Sequence, residues 1–220
     1  MTWNLPTFLT VLRLLAALGL PLAFLVLPRP YADACALVLF AGASITDWLD
    51  GYLARAWGQV TKLGAMLDPI ADKAMVVIAL FLLGVYSSLA LAILMPAALI
   101  LFREVFVSGL REYLGDTAGT LKVTGLAKWK TAAQMVAIAV LFAHGIFEHM
   151  FGMAILGMDH GLVTAILTGA ESDEVGLSWK LAGMEWTGWG GLGLLWIAAV
   201  LTLLTGLDYF TKAWPHLKGD

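Results

Sequence analysis

Charged residues are scarce in this chain and cysteine is almost absent. Only 13% of the 220 residues are charged, and the net charge of −3 is too small to indicate a partner. Lysine and arginine form no basic stripe, so we expect no nucleic-acid partner. The single cysteine, Cys35, excludes an internal disulfide framework. These absences argue against a disulfide-stapled secreted scaffold and against a nucleic-acid-binding protein.

Apolar residues, in contrast, make up 60% of the chain and give it a mean hydropathy of +0.86. A soluble domain of this size cannot cover so much apolar surface, whereas a bundle of spanning helices leaves that surface to lipid. The sequence therefore predicts an all-α integral membrane protein with six transmembrane helices. The six apolar runs of spanning length are Leu9–Leu27, Ala34–Leu53, Pro69–Ser88, Ala90–Leu110, Ala127–Phe147 and Trp189–Phe210.

Basic residues are distributed unequally between the two ends of these runs. With the N-terminus placed in the cytoplasm, the opposite side receives only Arg29 and Lys180, and most other basic residues fall at cytoplasmic ends. This bias follows the positive-inside rule. It predicts that the inner ends of the second and third runs face the cytoplasm.

The segment at about 148–188 differs from the rest of the chain. It holds six acidic residues against the single base Lys180. Its apolar part is interrupted by Asp159, His160 and several glycines, so we do not expect a full span there. We interpret it as an acidic extracytoplasmic insert in a single membrane domain covering residues 1–220.

Four aspartates lie at the inner edges of the second and third runs, in the string Asp47-x2-Asp50-Gly51-x2-Ala54-Arg55-x8-Gly64-x3-Asp68-x3-Asp72. Ionised carboxylates near hydrocarbon cost several kcal/mol unless something compensates them, and four together repel one another. Spacings of three and four place each pair on one helix face. Hard divalent cations such as Mg²⁺ or Mn²⁺ take oxygen ligands, and no histidine or cysteine lies nearby to indicate zinc. The string therefore predicts a divalent-metal centre on the cytoplasmic side.

Each position also has an ordinary structural explanation. Asp68 could be only a helix N-cap before Pro69. Asp72 could lie at a solvated helix start, and Gly51 could be loop punctuation. Arg55, however, supplies a forked cation suited to a diphosphate, and the positions occur together, which favours a functional site.

The complete string resembles the signature of the CDP-alcohol phosphotransferases, integral membrane enzymes of phospholipid synthesis. The resemblance implies a six-helix bundle, usually a homodimer, with a cytoplasm-facing polar cavity and two divalent cations. By position, Asp47, Asp50 and Asp68 resemble metal ligands, and Asp72 resembles both a ligand and the general base. The residues implied to contact CDP-diacylglycerol are Asn4, Thr7, Gly51, Ala54, Arg55 and Thr61.

Further similarity, at Asn4–Arg13, at Arg103-Glu104 and around Lys128–Met135, is to the phosphatidylglycerophosphate synthases of bacterial inner membranes. It implies glycerol 3-phosphate as the acceptor. Arg103 and Arg111 lie eight residues apart, within roughly 80° of one helix face. With Lys130 they could bind the acceptor phosphate. Alternatively, Arg103 pairs with Glu104 or an aspartate, Lys130 anchors its helix at the lipid headgroups, and Asn4 and Thr7 only cap the first helix.

Two other functions remain open. Inositol phosphate, serine or phosphatidylglycerol could be the acceptor instead, because enzymes for all of them share the aspartate string. A cation or proton transporter also keeps carboxylates in its membrane domain. A transporter, however, places them near mid-bilayer in related halves, and no second half of this sequence mirrors the first.

Overall fold

The structure, a computed structural model, describes residues 5–57, 61–120 and 125–218 of the chain. Within these ranges seven α-helices are joined by short connections, and a 3-10 segment, Gly115–Thr120, follows the fourth helix. The helices are α1 (Leu5–Val26), α2 (Tyr31–Trp57), α3 (Lys62–Tyr86), α4 (Ala90–Leu114), α5 (Leu126–Ala154), α6 (His160–Leu167) and α7 (Leu177–Leu217).

Five helices in the described part of the chain, α1, α3, α4, α5 and α7, are long and apolar enough to cross a bilayer. Large apolar side chains cover the outside of the bundle, among them Leu18, Phe81 and Leu91, which are 64%, 68% and 89% exposed. Exposure of such a surface to water is unfavourable, whereas lipid chains can cover it. The prediction of an all-α membrane bundle is confirmed. The helix α2 packs on α1 and α5, and its count as a sixth span stays a prediction.

Glycines allow α7 to pack closely along α5. A Cβ atom added to Gly183 would lie 2.4 Å from the ring of Phe147, and one added to Gly191 would lie 2.9 Å from Leu141. Such distances leave no room for a side chain, so the two helix backbones approach each other as small residues permit in membrane bundles. This contact runs from the acidic segment down into the core.

The helix α7 is longer than the apolar run that predicted it. Its 41 residues correspond to about 60 Å, twice the thickness of the hydrocarbon layer. It begins at Leu177 rather than near Trp189. At this start, the Asp173 carboxylate accepts backbone hydrogen bonds from Leu177 (2.6 Å) and Ser178 (2.9 Å). The helix α6, with eight residues, is too short to span. Much of the acidic segment is thus helical.

The helix α3 begins before the aspartate pair that it carries. Thr61 caps it, and the Thr61 hydroxyl accepts a hydrogen bond from the backbone N–H of Gly64 at 3.0 Å. Asp68 therefore lies inside the helix. The alternative in which Asp68 only caps a helix starting at Pro69 is wrong, because Thr61 already provides the cap.

An ion-pair cluster joins the helix ends opposite the aspartates. Arg29 donates to Asp33 at 2.6 Å and to the carbonyl of Tyr86 at 2.8 Å, and it lies 3.5 Å from Glu148. Burial alone would lower the pKa of Arg29, but Asp33 and Glu148 outweigh it and hold the pKa above its ordinary value. The cluster links the beginning of α2 to the ends of α3 and α5.

Candidate active site

A polar stripe on α1 faces the aspartate-bearing helices. Thr7, Thr10 and Arg13 recur every third residue in an otherwise apolar helix, so they lie along one face. All three are buried, with at most 2% of each residue exposed. A buried polar group in a membrane bundle needs a partner, and each member of the stripe has one on α2 or α3, or at the cap of α3.

Arg13 joins two of the predicted site carboxylates. Its Nη1 atom lies 2.5 Å from Oδ1 of Asp47 on α2 and 2.6 Å from Oδ1 of Asp72 on α3. The Arg13 side chain is only 2% exposed, whereas the side chains of Asp47 and Asp72 are 37% and 43% exposed. Both carboxylates therefore contact a buried guanidinium, while their own side chains remain partly accessible.

The two threonines of the stripe contact the first half of α3 in the same way. Thr10 donates a hydrogen bond to Oδ1 of Asp68 at 2.6 Å. The hydroxyls of Thr7 and Thr61 lie 2.7 Å apart. Thus α1 has one polar contact per turn, which fixes its register against Asp68 and the N-cap of α3.

A cleft opens beside Arg13, between α1, α2, α3 and α5. It encloses about 190 Å³, including space open to solvent. Its lining combines charged, hydroxyl and thioether side chains, which are Arg13, Ala43, Ser44, Asp47, Asp72, Met75 and Met135. The cleft brings one carboxylate from each aspartate pair into a shared space.

Other predicted residues are described only in part. Asp50 lies one helical turn after Asp47, and Gly51, Ala54 and Arg55 continue α2 to its end at Trp57. The side chains of these four residues are outside what the structure describes. Asn4 lies outside the described residues altogether.

The donors at this site suit a hard divalent cation. Asp47 and Asp72 supply carboxylate oxygens around one cleft, and Asp68 lies one turn before Asp72 on α3. Among the side chains that the structure describes, no three carboxylate, histidine or cysteine groups are close enough to form a complete metal site. The described ligands are therefore a partial set, all oxygen, of the kind that Mg²⁺ and Mn²⁺ prefer.

A second charged cluster lies between α4, α5 and α7, where the acceptor site is predicted. Lys130 on α5 donates a hydrogen bond to Oε1 of Glu104, and Nη1 of Arg103 donates to the same oxygen at 3.2 Å. Arg103 also donates to Thr205 on α7 at 3.4 Å. All three charged side chains are mostly buried, at 10% to 19% exposed. The alternative pairing of Arg103 with Glu104 is thus observed.

The third predicted acceptor residue, Arg111, lies further along α4. It is exposed, and its guanidinium carbon is 5.2 Å from the centre of the Tyr209 ring, a cation–π contact. The structure therefore brings Arg103 and Lys130 into contact with one carboxylate and leaves Arg111 at the edge of the cluster.

The two clusters are linked along α3 and α4. Lys73, the residue after Asp72, donates a hydrogen bond to the hydroxyl of Ser108, which donates to the backbone carbonyl of Glu104 at 2.6 Å. Because consecutive helical residues point about 100° apart, Asp72 and Lys73 face different neighbours. Asp72 faces Arg13, and Lys73 faces α4.

Sequence reasoning missed the site roles of Thr10, Arg13, Glu104 and Lys73. One signal for the first two was available: a lone arginine and two threonines at intervals of three in an apolar run. A buried arginine in a spanning helix requires an anion, and the aspartates were the nearest candidates. No comparable pattern distinguished Lys73, since its partner Ser108 comes from another helix, and Glu104 was considered only as a pairing partner of Arg103.

Comparison with known proteins identifies the relatives of this chain. The CDP-alcohol phosphatidyltransferase family matches residues 3–167. A Cereibacter sphaeroides protein named CDP-diacylglycerol–glycerol-3-phosphate 3-phosphatidyltransferase is 54% identical over 220 residues, covering 100% of both chains. Proteins of the same name from Pseudomonas fluorescens (37% identical, 99% of this chain, 93% of that one) and Escherichia coli strain K12 (33%, 97% and 96%) are also similar along their length. Three quarters of the residues, including all four aspartates, lie within the match, and the chain belongs to the CDP-alcohol phosphatidyltransferase family.

Proposed function

We propose that this protein transfers the phosphatidyl group of CDP-diacylglycerol to glycerol 3-phosphate. A hydroxyl oxygen of the acceptor attacks the phosphorus that carries diacylglycerol. The bond from that phosphorus to the CMP oxygen breaks, so the products are phosphatidylglycerol phosphate and CMP. The observation that carries the proposal is the meeting of Asp47 and Asp72 at one cleft, in a chain that matches enzymes of this name along its full length.

Asp47, Asp50, Asp68 and Asp72 would hold the divalent cations, which we take to be two Mg²⁺ or Mn²⁺ ions. When bound, such ions neutralise the diphosphate and the charge that develops on departing CMP. The partial exposure of the Asp47 and Asp72 side chains supports this role. Their oxygen donors match the preference of both metals.

Asp72 would act as the general base. It takes the proton of the attacking hydroxyl, which requires the acceptor to come within hydrogen-bond reach of one carboxylate oxygen. Because Arg13 contacts Oδ1 of Asp72, the second oxygen is the one we assign to the acceptor or a metal. Asp72 then serves both as a ligand and as a proton acceptor.

Residues at the cytoplasmic ends of α1, α2 and α3 would bind the CDP group. We assign this role to Asn4, Thr7, Gly51, Ala54, Arg55 and Thr61. Thr7 and Thr61 are in contact at 2.7 Å, which supports one shared polar surface there. Arg55 would pair with the diphosphate through its forked guanidinium.

The acceptor phosphate would bind to Arg103, Arg111 and Lys130. Two of these cations already surround a carboxylate, Glu104, and this supports a local environment that accepts negative charge. Serine lacks a phosphate, so it would bring no anion for Arg111, and Glu104 would remain the partner of Arg103 and Lys130. This charge pattern favours a phosphorylated acceptor over serine.

The assembly that we propose is a homodimer in the bacterial inner membrane with the cleft open to the cytoplasm. The chain is a multi-pass membrane protein by the length and composition of its helices, and the relatives named above are bacterial. The positive-inside bias supports the orientation. Both substrates would then reach the cleft, glycerol 3-phosphate from water and CDP-diacylglycerol from lipid.

An acceptor-competition assay tests the proposal. Purified protein in lipid nanodiscs receives labelled CDP-diacylglycerol and, in separate reactions, glycerol 3-phosphate, inositol phosphate, serine or phosphatidylglycerol, with Mg²⁺ and then with EDTA. We expect metal-dependent release of CMP with glycerol 3-phosphate. Robust release with serine and none with glycerol 3-phosphate would overturn the acceptor assignment, and full activity in EDTA would overturn the metal assignment.

The variant Arg111→Ala separates binding from structure. We expect it to raise KM for glycerol 3-phosphate more than KM for CDP-diacylglycerol, since only the acceptor phosphate contacts Arg111 in the proposed complex. An equal rise for both substrates would indicate a structural role for Arg111 through its stacking on Tyr209.

A further inference from the structure

Arg13 is a charged residue buried within the most apolar helix of the bundle. The span Thr7–Val26 has a mean hydropathy of 2.2, and the Arg13 side chain is 2% exposed. An arginine at such a position persists only where an anion compensates it. Two anions do so here, Asp47 and Asp72, and both belong to the proposed metal centre.

We propose that Arg13 is a positioning residue, the fixed positive charge that holds Asp47 and Asp72 together before metal ions bind and keeps them oriented afterwards. The inference rests on the proposed metal role of these aspartates. Without a cation between them the two carboxylates would repel across the cleft. One guanidinium nitrogen within 2.6 Å of both oxygens removes that repulsion and ties α2 to α3 through α1.

The direction of the contact makes it compatible with a bound metal. Arg13, itself buried, contacts Oδ1 of each carboxylate, and both carboxylate side chains remain partly exposed beside the cleft that all three residues line. The contact therefore leaves part of each carboxylate side chain accessible. This is the role that outer residues generally have at metal sites, where they fix the orientation of each ligand.

The rest of the α1 stripe supports a positioning role. Thr10, one turn before Arg13, orients Asp68 through a hydrogen bond of 2.6 Å. Thr7, a further turn back, contacts Thr61 at the start of α3. Three successive turns thus contact three parts of the site, so α1 acts as a template against which the ligands are aligned.

The test compares thermal stability with and without metal. The variants Arg13→Gln and Arg13→Lys are purified with Mg²⁺ in nanodiscs, and the melting temperature is measured in Mg²⁺ and after exchange into EDTA. In EDTA, Arg13→Gln should melt about 5 °C or more below the parent protein. In Mg²⁺ the deficit should shrink to less than half, since bound cations compensate the carboxylates. Arg13→Lys, which keeps the charge, should recover most of the loss in EDTA.

Arg29→Gln is the matched control. Arg29 also pairs with a buried aspartate, Asp33, at 2.6 Å, but it lies at the opposite end of the bundle. Its loss should lower the melting temperature by the same amount in Mg²⁺ and in EDTA. A difference between the Arg13 and Arg29 variants in metal response is therefore specific to the aspartate site.

The outcomes separate this inference from the proposed function. A parent protein whose melting temperature does not respond to Mg²⁺ would contradict the metal centre itself. Suppose instead that the parent responds to Mg²⁺, but the melting-temperature deficit of Arg13→Gln is absent or is equal in Mg²⁺ and in EDTA. That result would overturn the role of Arg13 alone. Failure of Arg13→Gln to fold even in Mg²⁺ would also overturn it, because metal should replace the missing charge.

Kinetics in saturating Mg²⁺ provide a second readout. Misoriented ligands should lower kcat of Arg13→Gln by about 10- to 100-fold, as removal of outer residues does at other metal sites. KM for both substrates should change by less than about threefold, since Arg13 contacts neither in the proposed complex. A rise in KM with unchanged kcat would assign Arg13 to substrate binding and contradict the positioning role.

Discussion

The substitution Gly206→Ala tests whether Arg103 must lie where the structure has it. Gly206 is buried on α7 against α4, and a Cβ atom added there would lie 2.8 Å from Cγ of Arg103. Carbon atoms in contact are normally 3.5–4.0 Å apart. The Arg103 stem would therefore have to move by about 1 Å, which disturbs its contacts with Glu104 (3.2 Å) and Thr205 (3.4 Å).

The expected size of the effect follows from the cost of overpacking. Adding a methyl group to a closely packed site costs about 1–3 kcal/mol. Each 1.4 kcal/mol of lost binding free energy is a factor of ten in affinity. A cost of this size on acceptor binding therefore raises KM for glycerol 3-phosphate by about 5- to 140-fold. CDP-diacylglycerol does not contact Arg103 in the proposed complex, so its KM should change little.

Gly193→Ala on the same helix is the control, because a Cβ atom there meets no atom within 4 Å. Both variants gain the same helix propensity, so their difference isolates the contact with Arg103. Steady-state CMP release with each substrate varied in turn measures both KM values. Our reasoning fails if Gly206→Ala and Gly193→Ala have the same KM for glycerol 3-phosphate, or if both substrates are affected equally.

Three further predictions follow from single contacts. Asp72→Asn should lower kcat by about 10²- to 10⁴-fold, the usual contribution of a general base, while the protein still folds and binds the nucleotide lipid; near-normal turnover contradicts the assignment. Gly191→Ala should melt about 2–10 °C below Gly190→Ala, since only Gly191 faces Leu141; equal melting temperatures contradict the close packing. Backbone hydrogen bonds from Ser178 and Leu177 lower the pKa of Asp173, so its capping of α7 holds above the ordinary pKa and is lost as pH falls through the lowered one. The protection of these two backbone amides from hydrogen exchange, taken relative to the intrinsic rate at each pH, should fall at that acidic pH. Asp173→Asn should remove this pH dependence.

The membrane fold was largely predictable because spanning helices are identified by the length of their apolar runs. The start of α7 at Leu177 was not predictable in this way. Its first twelve residues include Lys180, Glu185 and two glycines, Gly183 and Gly188, a composition typical of a loop. Close packing of Gly183 against Phe147 of α5 stabilises the helix there, so tertiary contacts override the low helix propensity of the local sequence.

The aspartate site was predictable to the level of residue type and helix face. Spacings of three and four indicated that each pair shares a face, and Asp47 and Asp72 do meet at one cleft. The identity of their inner partner was not predictable from spacing. Whether Arg13 faces lipid or the aspartates depends on the rotation of α1 about its axis, and contacts of Thr7 and Thr10 with α3 and its cap fix that rotation.

The neighbouring positions of Asp72 and Lys73 on α3 offer a physical basis for acceptor choice. Asp72 faces Arg13 and the cleft, while Lys73 reaches Ser108 on α4, next to the backbone carbonyl of Glu104. The side chains of Asp72 and Lys73 thus point about 100° apart around α3. The proposed base faces the cleft, and the neighbouring lysine faces α4, the helix that carries Arg103. An acceptor that uses both must place a hydroxyl at one group and an anion at the other. Glycerol 3-phosphate has both groups on a short carbon chain, whereas serine offers no phosphate for the second cluster, where Glu104 would remain the partner of Arg103 and Lys130.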